Sequence, residues 1–313
     1  MHEISNRTKF VLLIINKNNQ DMDRKDFLKK GLLGTGMFVA SASLGNTMKN
    51  DIDEIEPLEP IGYNHLPNTD SKIKDNSVIH KADSRGKADH GWLESNHTFS
   101  FANYHNPERM HFGVLRVLND DKVEAGRGFG THPHDNMEII SIPLEGDLEH
   151  KDSMGNTAVI RSGDIQVMSA GTGIMHSEFN KNTDSPVKFL QIWVYPNRRN
   201  VTPRYDQITL DKTKSQNKFQ QILSPNANDD GVWIHQDAWF HLGNFDNNTE
   251  AHYQIRKKGN GVYAFILKGS AEIEGQPLET RDGFGVWDIT GLNIKATAEG
   301  TEILLMEVPM TLS

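Results

Sequence analysis

Four side chains that can bind a metal ion occur as two pairs, each with one residue between its members. His132 and His134 form the first pair, in the segment GTHPHDNMEI, and His176 and Glu178 form the second, in GIMHSEFN. Residues at i and i+2 of a β-strand point to the same face of the sheet, so each pair would present both side chains together. Three imidazoles and one carboxylate that converge from neighbouring strands would form a mononuclear metal site.

Glu138 is a second candidate for the carboxylate ligand. It lies four residues after His134 and keeps the same facing if the strand is unbroken. The spacing alone permits either Glu138 or Glu178. Neutral imidazoles with one carboxylate suit Fe, Mn, Ni, Co, Cu or Zn and do not select among them. With one or two open positions, the set is similar to that of non-haem Fe(II) enzymes that use O₂.

Composition excludes several classes of metal site, catalysis and binding partner. The chain of 313 residues contains no cysteine, which excludes thiolate metal sites, iron–sulfur clusters, thiol catalysis and disulfides. Its formal net charge of −9 argues against nucleic acid as a partner, because phosphate binding requires a basic surface. The apolar run near the N-terminus is too short to span a membrane as a helix.

Short strand-like runs separated by turn residues must position these side chains. Turn chemistry such as Gly146-Asp147 and Gly155-Asn156 stands at spacings suited to hairpins. No long amphipathic helix interrupts the pattern, which predicts an all-β fold with an antiparallel barrel or sandwich. The runs before residue 200 are Phe99–Phe101, Val114–Leu118, Ile139–Leu144, Val159–Ile160, Ile165–Met168 and Val187–Tyr195.

A weak internal repeat predicts a second copy of the barrel. The segment Ile142–Glu149, IPLEGDLE, aligns with Phe265–Glu272, FILKGSAE, and Arg161–Asp164 aligns with Arg281–Phe284. Each half thus shows a strand, a glycine turn, a strand and a second turn. The second copy has no His-x-His pair and only His252 before its first turn. We therefore expect the second barrel to be structural.

Two segments precede the barrels. Residues 1–45 combine a basic stretch, an apolar run of about ten residues and an Ala40-x-Ala42 site, which is the layout of a signal peptide. Arg24-Lys25 is similar to a twin-arginine signal in which Lys replaces the second Arg. This predicts periplasmic export, and the alternative is a cytoplasmic protein with an amphipathic or disordered extension. Residues 46–76, rich in Asp, Glu, Pro and Asn, are predicted to be a linker.

The remaining chain divides into two predicted domains. Residues 77–200 carry the metal motif, and residues 201–313 carry the second copy. The segment 196–230 between the two sets of strands is polar and irregular. It is predicted to be a crossover that contains at most one short helix.

The two metal-binding segments resemble known motifs. Gly126–Gly146 resembles the first cupin motif, with one extra residue before the closing glycine. Gly163–Asn180 resembles the second, with Ala170 where cupins often carry proline. More narrowly, HPHDNMEIISIPLEG and SAGTGIMHSEFN resemble the pirin family of bicupins, especially its bacterial pirin-like quercetinase branch. The likeness runs from about Arg85 through QIWVYP and TPRY to Asp288.

This resemblance implies two tandem antiparallel β-barrels of the jelly-roll or double-stranded β-helix type, with the metal in the first. In pirin-like proteins the carboxylate beside the second-motif histidine binds the metal. The implied ligands are therefore His132, His134, His176 and Glu178. Glu138 would then lie beside the ligands and orient an imidazole by accepting its free N–H.

The resemblance also implies an activity. It is an oxidoreductase reaction of the flavonol (quercetin) 2,3-dioxygenase type, in which O₂ opens the ring and carbon monoxide leaves. One divalent ion is required, Fe(II) being the expected metal and Mn, Ni, Co, Cu or Zn the alternatives. Glu178, or failing that Glu138, would accept the proton of the flavonol 3-hydroxyl. Candidates for an apolar wall are Phe112, Ile140, Met168 and Met175.

A non-enzymatic role is the alternative that the same resemblance allows. Pirin relatives include redox-sensitive metal-binding proteins that regulate a protein partner without turnover. An export signal would argue against a transcriptional role of that kind. In either case we expect a monomer that binds no nucleic acid.

Overall fold

Residues that alternate between inward and outward positions form β-strands throughout the described part of the chain. The computed structural model describes residues 76–312. Within that range it contains 22 strands, two short 3-10 turns at Ala82–Ser84 and Lys212–Ser215, and no α-helix. The strands form two barrels, each built from one seven-stranded and one four-stranded sheet. The prediction of an all-β protein with two tandem antiparallel barrels is confirmed.

Eleven strands form the first barrel. They are β2 (Gly86–Asp89), β3 (Leu93–His97), β4 (Leu115–Val123), β5 (Gly128–His134), β6 (Glu138–Glu145), β7 (Asp147–Asp152), β8 (Thr157–Arg161), β9 (Asp164–Ser169), β10 (Ile174–Asn180), β11 (Val187–Val194) and β12 (Arg204–Thr209). The seven-stranded sheet has the order β12-β9-β6-β11-β4-β3-β2. The four-stranded sheet has the order β5-β10-β7-β8.

Another eleven strands form the second barrel. They are β1 (Ser77–His80), β13 (Phe219–Ser224), β14 (Val232–Trp233), β15 (Trp239–Phe245), β16 (Glu250–Gln254), β17 (Asn260–Lys268), β18 (Ser270–Ile273), β19 (Gln276–Glu279), β20 (Gly283–Val286), β21 (Gly291–Ala296) and β22 (Thr301–Pro309). Its sheets have the orders β1-β20-β17-β22-β15-β13-β14 and β16-β21-β18-β19.

The predicted boundary between residues 200 and 201 is crossed by strands in both directions. β12 follows that boundary but pairs with β9 in the first barrel. β1 belongs to the first predicted segment but pairs with β20 in the second barrel. Each exchanged strand extends a sheet whose edge would otherwise expose unpaired backbone groups. Strand exchange therefore does not follow chain order, and the domain ranges 77–200 and 201–313 stay predictions.

The internal repeat is real, but half of its predicted alignment is displaced. Asp164 accepts a hydrogen bond from the backbone N–H of Arg161. Asp282 accepts the equivalent bond from Glu279, also three residues earlier. Asp282 therefore corresponds to Asp164, and the alignment with Phe284 is wrong by two residues. The alignment of Ile142–Glu149 with Phe265–Glu272 is confirmed, since Gly146 and Gly269 have φ values of 77° and 75° in equivalent turns.

The outer faces of the two seven-stranded sheets pack against each other and form one apolar cluster. Leu190 and Ile192 contribute from the first barrel, and Phe265 and Leu304 contribute from the second. Strand β6 is buried along its first six residues. One of its faces lines the first barrel and the other contacts the second barrel, so it has an almost continuous apolar sequence.

The N-terminal predictions lie outside the described residues. This applies to the signal-like segment 1–45 and to the linker 46–76 except its last residue, Asn76. Within residues 76–312, no helix is long and apolar enough to cross a membrane. Export and compartment therefore stay predictions.

Candidate metal centre

Three of the predicted ligands converge inside the first barrel. His132 and His134 lie on β5, and His176 lies on the neighbouring strand β10, paired with His132. The ring centroids of His132 and His176 are 4.3 Å apart, and both lie 4.9 Å from that of His134. One ligating atom from each ring lies within 4.8 Å of the other two. The i, i+2 spacing directs His132 and His134 to one face, and the pairing of β10 with β5 adds His176, so the three imidazoles converge as predicted.

A β-bulge shapes this strand pair. The register between β5 and β10 shifts so that His176 pairs with His132 while Glu178 pairs with Phe129. β5 therefore has one residue more than β10 over this stretch, and such bulges re-aim side chains at barrel rims. The two strands also approach closely, because a Cβ on Gly128 would lie 2.2 Å from the carbonyl oxygen of Glu178. Only glycine fits there without a backbone shift.

The loop before β10 is fixed by an equally close contact. Gly171 has a φ of 47°, and a Cβ there would lie 2.0 Å from the carbonyl oxygen of Val201. The backbone N–H of Thr172 donates to that same oxygen over 2.9 Å. This small-residue loop therefore packs against the segment that follows β11. Its position determines where β10 begins and where His176 lies.

The chemistry of the three rings fits a divalent transition metal. The Nδ1 atom of His132 donates to the carbonyl oxygen of Gly130 over 2.8 Å. A carbonyl oxygen can only accept, so Nδ1 carries the proton and the Nε2 lone pair is available to a metal ion. Neutral imidazoles of this kind bind Fe, Ni, Cu and Zn, among others.

Glu178 lies inside the same barrel, two residues after His176, and its exposed fraction is 1%. Its Oε1 accepts a hydrogen bond from the hydroxyl of Ser141 over 3.3 Å, and its Oε2 accepts one from the amide of Gln191 over 3.2 Å. The group of ligating atoms within 4.8 Å of one another consists of the three imidazoles alone. Metal ligation by Glu178 stays a prediction.

Glu138 occupies a different place from the predicted one. β5 ends at His134, and Glu138 begins β6 after a three-residue break. The two strands belong to different sheets of the barrel. An unbroken strand was the condition for a shared facing, and that condition is not met. The Glu138 side chain accepts a hydrogen bond from Ser169 over 2.6 Å, and its role in orienting an imidazole stays a prediction.

The surroundings of Glu138 are a buried junction with the second barrel. Burial raises the pKa of Glu138 to about 7, while the Ser169 hydroxyl, the charge of Arg204 and the backbone N–H of His235 oppose that rise. The Arg204 guanidinium lies 3.9 Å from the ring centroid of Trp233 and also donates to the Trp233 carbonyl oxygen. Glu138 therefore connects the mouth of the first barrel to residues of the second.

An apolar wall adjoins the three imidazoles. The Trp193 ring lies 4.9 Å from the His134 ring, edge to face. Ile174 is paired with His134 across the strands. The apolar wall consists of Met137, Ile139, Met168, Ala170, Ile174 and Trp193.

Of the four predicted wall residues, Met168 alone belongs to this apolar wall. Phe112 and Ile140 lie in the apolar cluster between the barrels, and the side chain of Met175 is at the surface, 38% exposed. Ile140 follows the inward Ile139, and alternation along the strand therefore turns it outward.

Comparison with known proteins assigns the family. The sequence model of the Pirin family matches residues 78–194, and that of the quercetinase C-terminal cupin domain matches residues 221–308. A quercetin 2,3-dioxygenase of Escherichia coli strain K12 is 43% identical over 231 residues, which are 74% of this chain and 98% of that protein. A pirin-like protein of Caulobacter vibrioides is 36% identical over 226 residues, 72% of this chain and 96% of its own. The chain belongs to the pirin family.

A solved pirin structure supports the same assignment at the level of the fold and the site. The crystal structure of the bacterial pirin YhhW from Escherichia coli in complex with nickel(II) is 42% identical to this chain. Its TM-score is 0.70, and the match covers 74% of this chain and 99% of YhhW. Together with the converging imidazoles, this identifies the first barrel of this pirin as a binding site for a divalent metal ion.

A fourth imidazole beside the metal triad was not predicted. His150 on β7 is 1% exposed, and its ring lies 5.4 Å from that of His176. Its Nε2 lies 3.1 Å from Oδ2 of Asp152, and its Cα is paired with that of Glu178. The i, i+2 spacing of His150 and Asp152 was a signal in the sequence. That spacing alone did not indicate a position near the triad, because the pairing of β7 with β10 cannot be read from it.

Proposed function

We propose that this pirin is a metal-dependent dioxygenase that opens the ring of flavonols such as quercetin. The observation that carries this proposal is the metal triad beside the apolar wall at the mouth of the first barrel. A planar aromatic substrate needs an apolar surface for its rings and a Lewis acid for its hydroxyl oxygen. The relatives named quercetin 2,3-dioxygenase support the same chemistry.

His132, His134 and His176 would hold the ion, with the Glu178 carboxylate as the fourth ligand. A divalent metal bound there supplies Lewis acidity that lowers the pKa of the flavonol 3-hydroxyl. Fe(II) is our first choice, with Mn, Ni, Co, Cu and Zn as the alternatives. The nickel(II) complex of YhhW makes nickel the first alternative to test.

Protein side chains would orient the substrate and accept its proton. The indole of Trp193 and the side chains of Ile139 and Met168 would contact the flavonol rings and exclude water from them. We assign the proton acceptor to Glu178, because its carboxylate lies inside the barrel and on the same strand as His176. Glu138 is the weaker candidate, since its carboxylate is held at the junction with the second barrel.

The test is turnover by metal-free protein reloaded under anaerobic conditions with one divalent metal at a time. Addition of quercetin and O₂ should bleach the flavonol absorbance and release one carbon monoxide per quercetin consumed. Glu178→Gln should lower kcat by about 100-fold, the effect of losing a general base. Glu138→Gln is the matched control and should retain most of the activity.

Absence of carbon monoxide with every metal, in protein that binds the metal, would contradict the enzymatic proposal. It would favour the alternative of a regulatory pirin that acts through a protein partner. The experiment distinguishes an enzyme from a non-enzymatic metal-binding regulator, because metal binding is measured independently of turnover.

We further propose that the chain is exported through its twin-arginine-like segment. Support comes from the order of a basic stretch, an apolar run and the Ala40-x-Ala42 site. N-terminal sequencing of protein isolated from its native host tests this. A mature chain that starts after Ala42 is expected, and an intact N-terminus in the cytoplasmic fraction would contradict it.

A further inference from the structure

A row of polar side chains crosses the interior of the first barrel below the metal triad. Each member is paired with the next across neighbouring strands, so all of them point to the same face of the sheet. Five of the six have exposed fractions of 1% or less. The polar row consists of Gln207, Gln166, Ser141, Gln191, Asn119 and His97.

The carboxylate of Glu178 reaches across the barrel into the middle of the polar row. Ser141 and Gln191, which are adjacent in the row, each donate to a different oxygen of Glu178, over 3.3 Å and 3.2 Å. Both donors are neutral, and the Ser141 contact is longer than an ordinary O–H···O hydrogen bond. Such contacts orient a carboxylate while leaving it able to move toward a neighbouring cation.

The fold itself does not require polar residues at these positions. The second barrel has the same strand order, and its matching row contains Phe284 where the first has Gln166, Ala264 for Ser141 and Leu305 for Gln191. Burying polar side chains in place of apolar ones destabilises a protein unless they are hydrogen-bonded. The polar row is therefore a feature of the metal-binding barrel and not of the architecture.

We propose that Ser141 and Gln191 are positioning residues that hold the Glu178 carboxylate in the orientation it needs toward the metal. This inference rests on the proposed role of Glu178 at the metal. Side chains that orient the groups around a metal ion typically change metal affinity by 10–100-fold when removed. In this assignment Ser141 and Gln191 act on the metal through Glu178.

The experiment uses the full-length, metal-free protein and two probes. Ni(II) affinity is measured by titration calorimetry, and the Co(II) d–d absorption spectrum reports the ligand geometry. Ser141→Ala and Gln191→Leu should each weaken Ni(II) binding by about 10-fold and change the Co(II) spectrum. Gln166→Leu is the matched control from the same row, with the same burial, and should change neither.

A double-mutant cycle tests whether the two residues act through Glu178. Once Glu178→Gln is in place, adding Gln191→Leu should cause no further loss of Ni(II) affinity. Additive losses would overturn the proposal, as would an unchanged spectrum in both single variants or an equal effect of Gln166→Leu. It also fails if Glu178→Gln leaves the metal readouts unchanged.

A substitute variant and substrate-independent readouts keep the positioning proposal testable. If Gln191→Leu does not fold, Ser141→Ala carries the comparison, since it removes one hydroxyl and adds no bulk. Both readouts are independent of substrate. A failure of the flavonol reaction would therefore leave the positioning proposal standing or falling on the metal data alone.

Discussion

The two barrels share one architecture and differ in what fills them. In each, a seven-stranded sheet faces a four-stranded sheet, and an exchanged strand completes the larger one. The polar row of the first barrel has a largely apolar counterpart in the second. Read position by position across the sheet, that counterpart is Ile79, Phe284, Ala264, Leu305, His241 and Gln221. The duplicated fold therefore tolerates either interior.

The strand pairs that could bind metal show the same contrast. In the first barrel β5 and β10 direct His132 and His176 at each other. In the second barrel the corresponding pair is β16 and β21, where Tyr253 lies opposite Leu292 and both belong to the apolar core. The β16–β21 pair keeps a regular register, whereas the β5–β10 pair contains the bulge. The inward residues and the bulge together distinguish the metal-binding pair from its counterpart.

The contrast also suggests how the polar interior is tolerated. An apolar cluster closes the end of the first barrel away from the triad, with Phe129, Leu148 and Phe189 among its members. The second barrel has a continuous apolar core, and a further apolar cluster joins the two barrels. Apolar burial, the main stabilising contribution in folding, is thus concentrated around the site and not within it.

Removal of one imidazole should have the largest effect and should be confined to the first barrel. His134→Ala deletes one of three converging ligands, so metal affinity should fall by at least about 100-fold and turnover should be lost. The control is His252→Ala on β16, where the exposed histidine bonds Asn293. Metal content per chain, measured by mass spectrometry, should stay at one for the control. A second equivalent of tightly bound metal in either protein would contradict the division of roles.

Making the second barrel polar should cause the next largest effect. Leu305→Gln places an amide at the position that Gln191 occupies in the first barrel. The buried carboxylate two residues on, Glu307, already accepts hydrogen bonds from Tyr253, Asn260 and the backbone N–H groups of residues 256 and 257. Loss of apolar burial and an unsatisfied amide together should lower the free energy of unfolding by about 4 kcal/mol. Urea denaturation measures this. A loss below about 1 kcal/mol would show that the second barrel, too, accommodates polar side chains inside.

The sequence predicted well those features that depend on residues close together in the chain. The i, i+2 spacing was sufficient to place His132 and His134 on one face, because strand alternation acts over two residues, and the second motif added His176. The two-barrel fold followed from the strand runs and the repeat. Met175 could also have been placed correctly, since it directly precedes the inward His176 and must face outward on the same strand.

What the sequence missed depends on pairing between distant segments. The polar row needs the register of six strands, from His97 to Gln207, and no spacing along the chain indicates it. His150 became notable once β7 was known to lie beside β10. The shared facing of Glu138 and His134 required an unbroken strand, and three residues between β5 and β6 carry the chain from one sheet to the other.

Glu138 offers a smaller, pH-dependent test of where the two barrels meet. Its pKa is raised to about 7 in the folded protein by burial, so the folded state holds a proton that the unfolded state releases above its ordinary pKa. The stabilising contribution of the protonated carboxyl is complete below the ordinary pKa and is lost as the pH rises to about 7. Glu138→Gln removes this dependence and should therefore be more stable than the parent at pH 8, by on the order of 3 kcal/mol.

Thermal or urea unfolding of both proteins between pH 4 and pH 8 measures that difference. The two stability curves should converge at the acidic end, where both side chains are neutral, and separate as the pH rises. Curves that stay parallel would mean that Glu138 titrates normally and is not part of a buried junction. Metal-free protein is used, so that the pH dependence of metal binding does not contribute.

The smallest expected effect lies in the polar row itself. The Nε2 atom of Gln166 is buried and has no hydrogen-bond partner within residues 76–312, and the second barrel carries Phe284 at this position. Gln166→Leu replaces an unsatisfied donor with an apolar side chain, which can be neutral or stabilising. The free energy of unfolding should equal that of the parent or exceed it by about 1 kcal/mol. A clear loss of stability would show that the whole row, and not only its contacts to Glu178, is needed to hold the first barrel together.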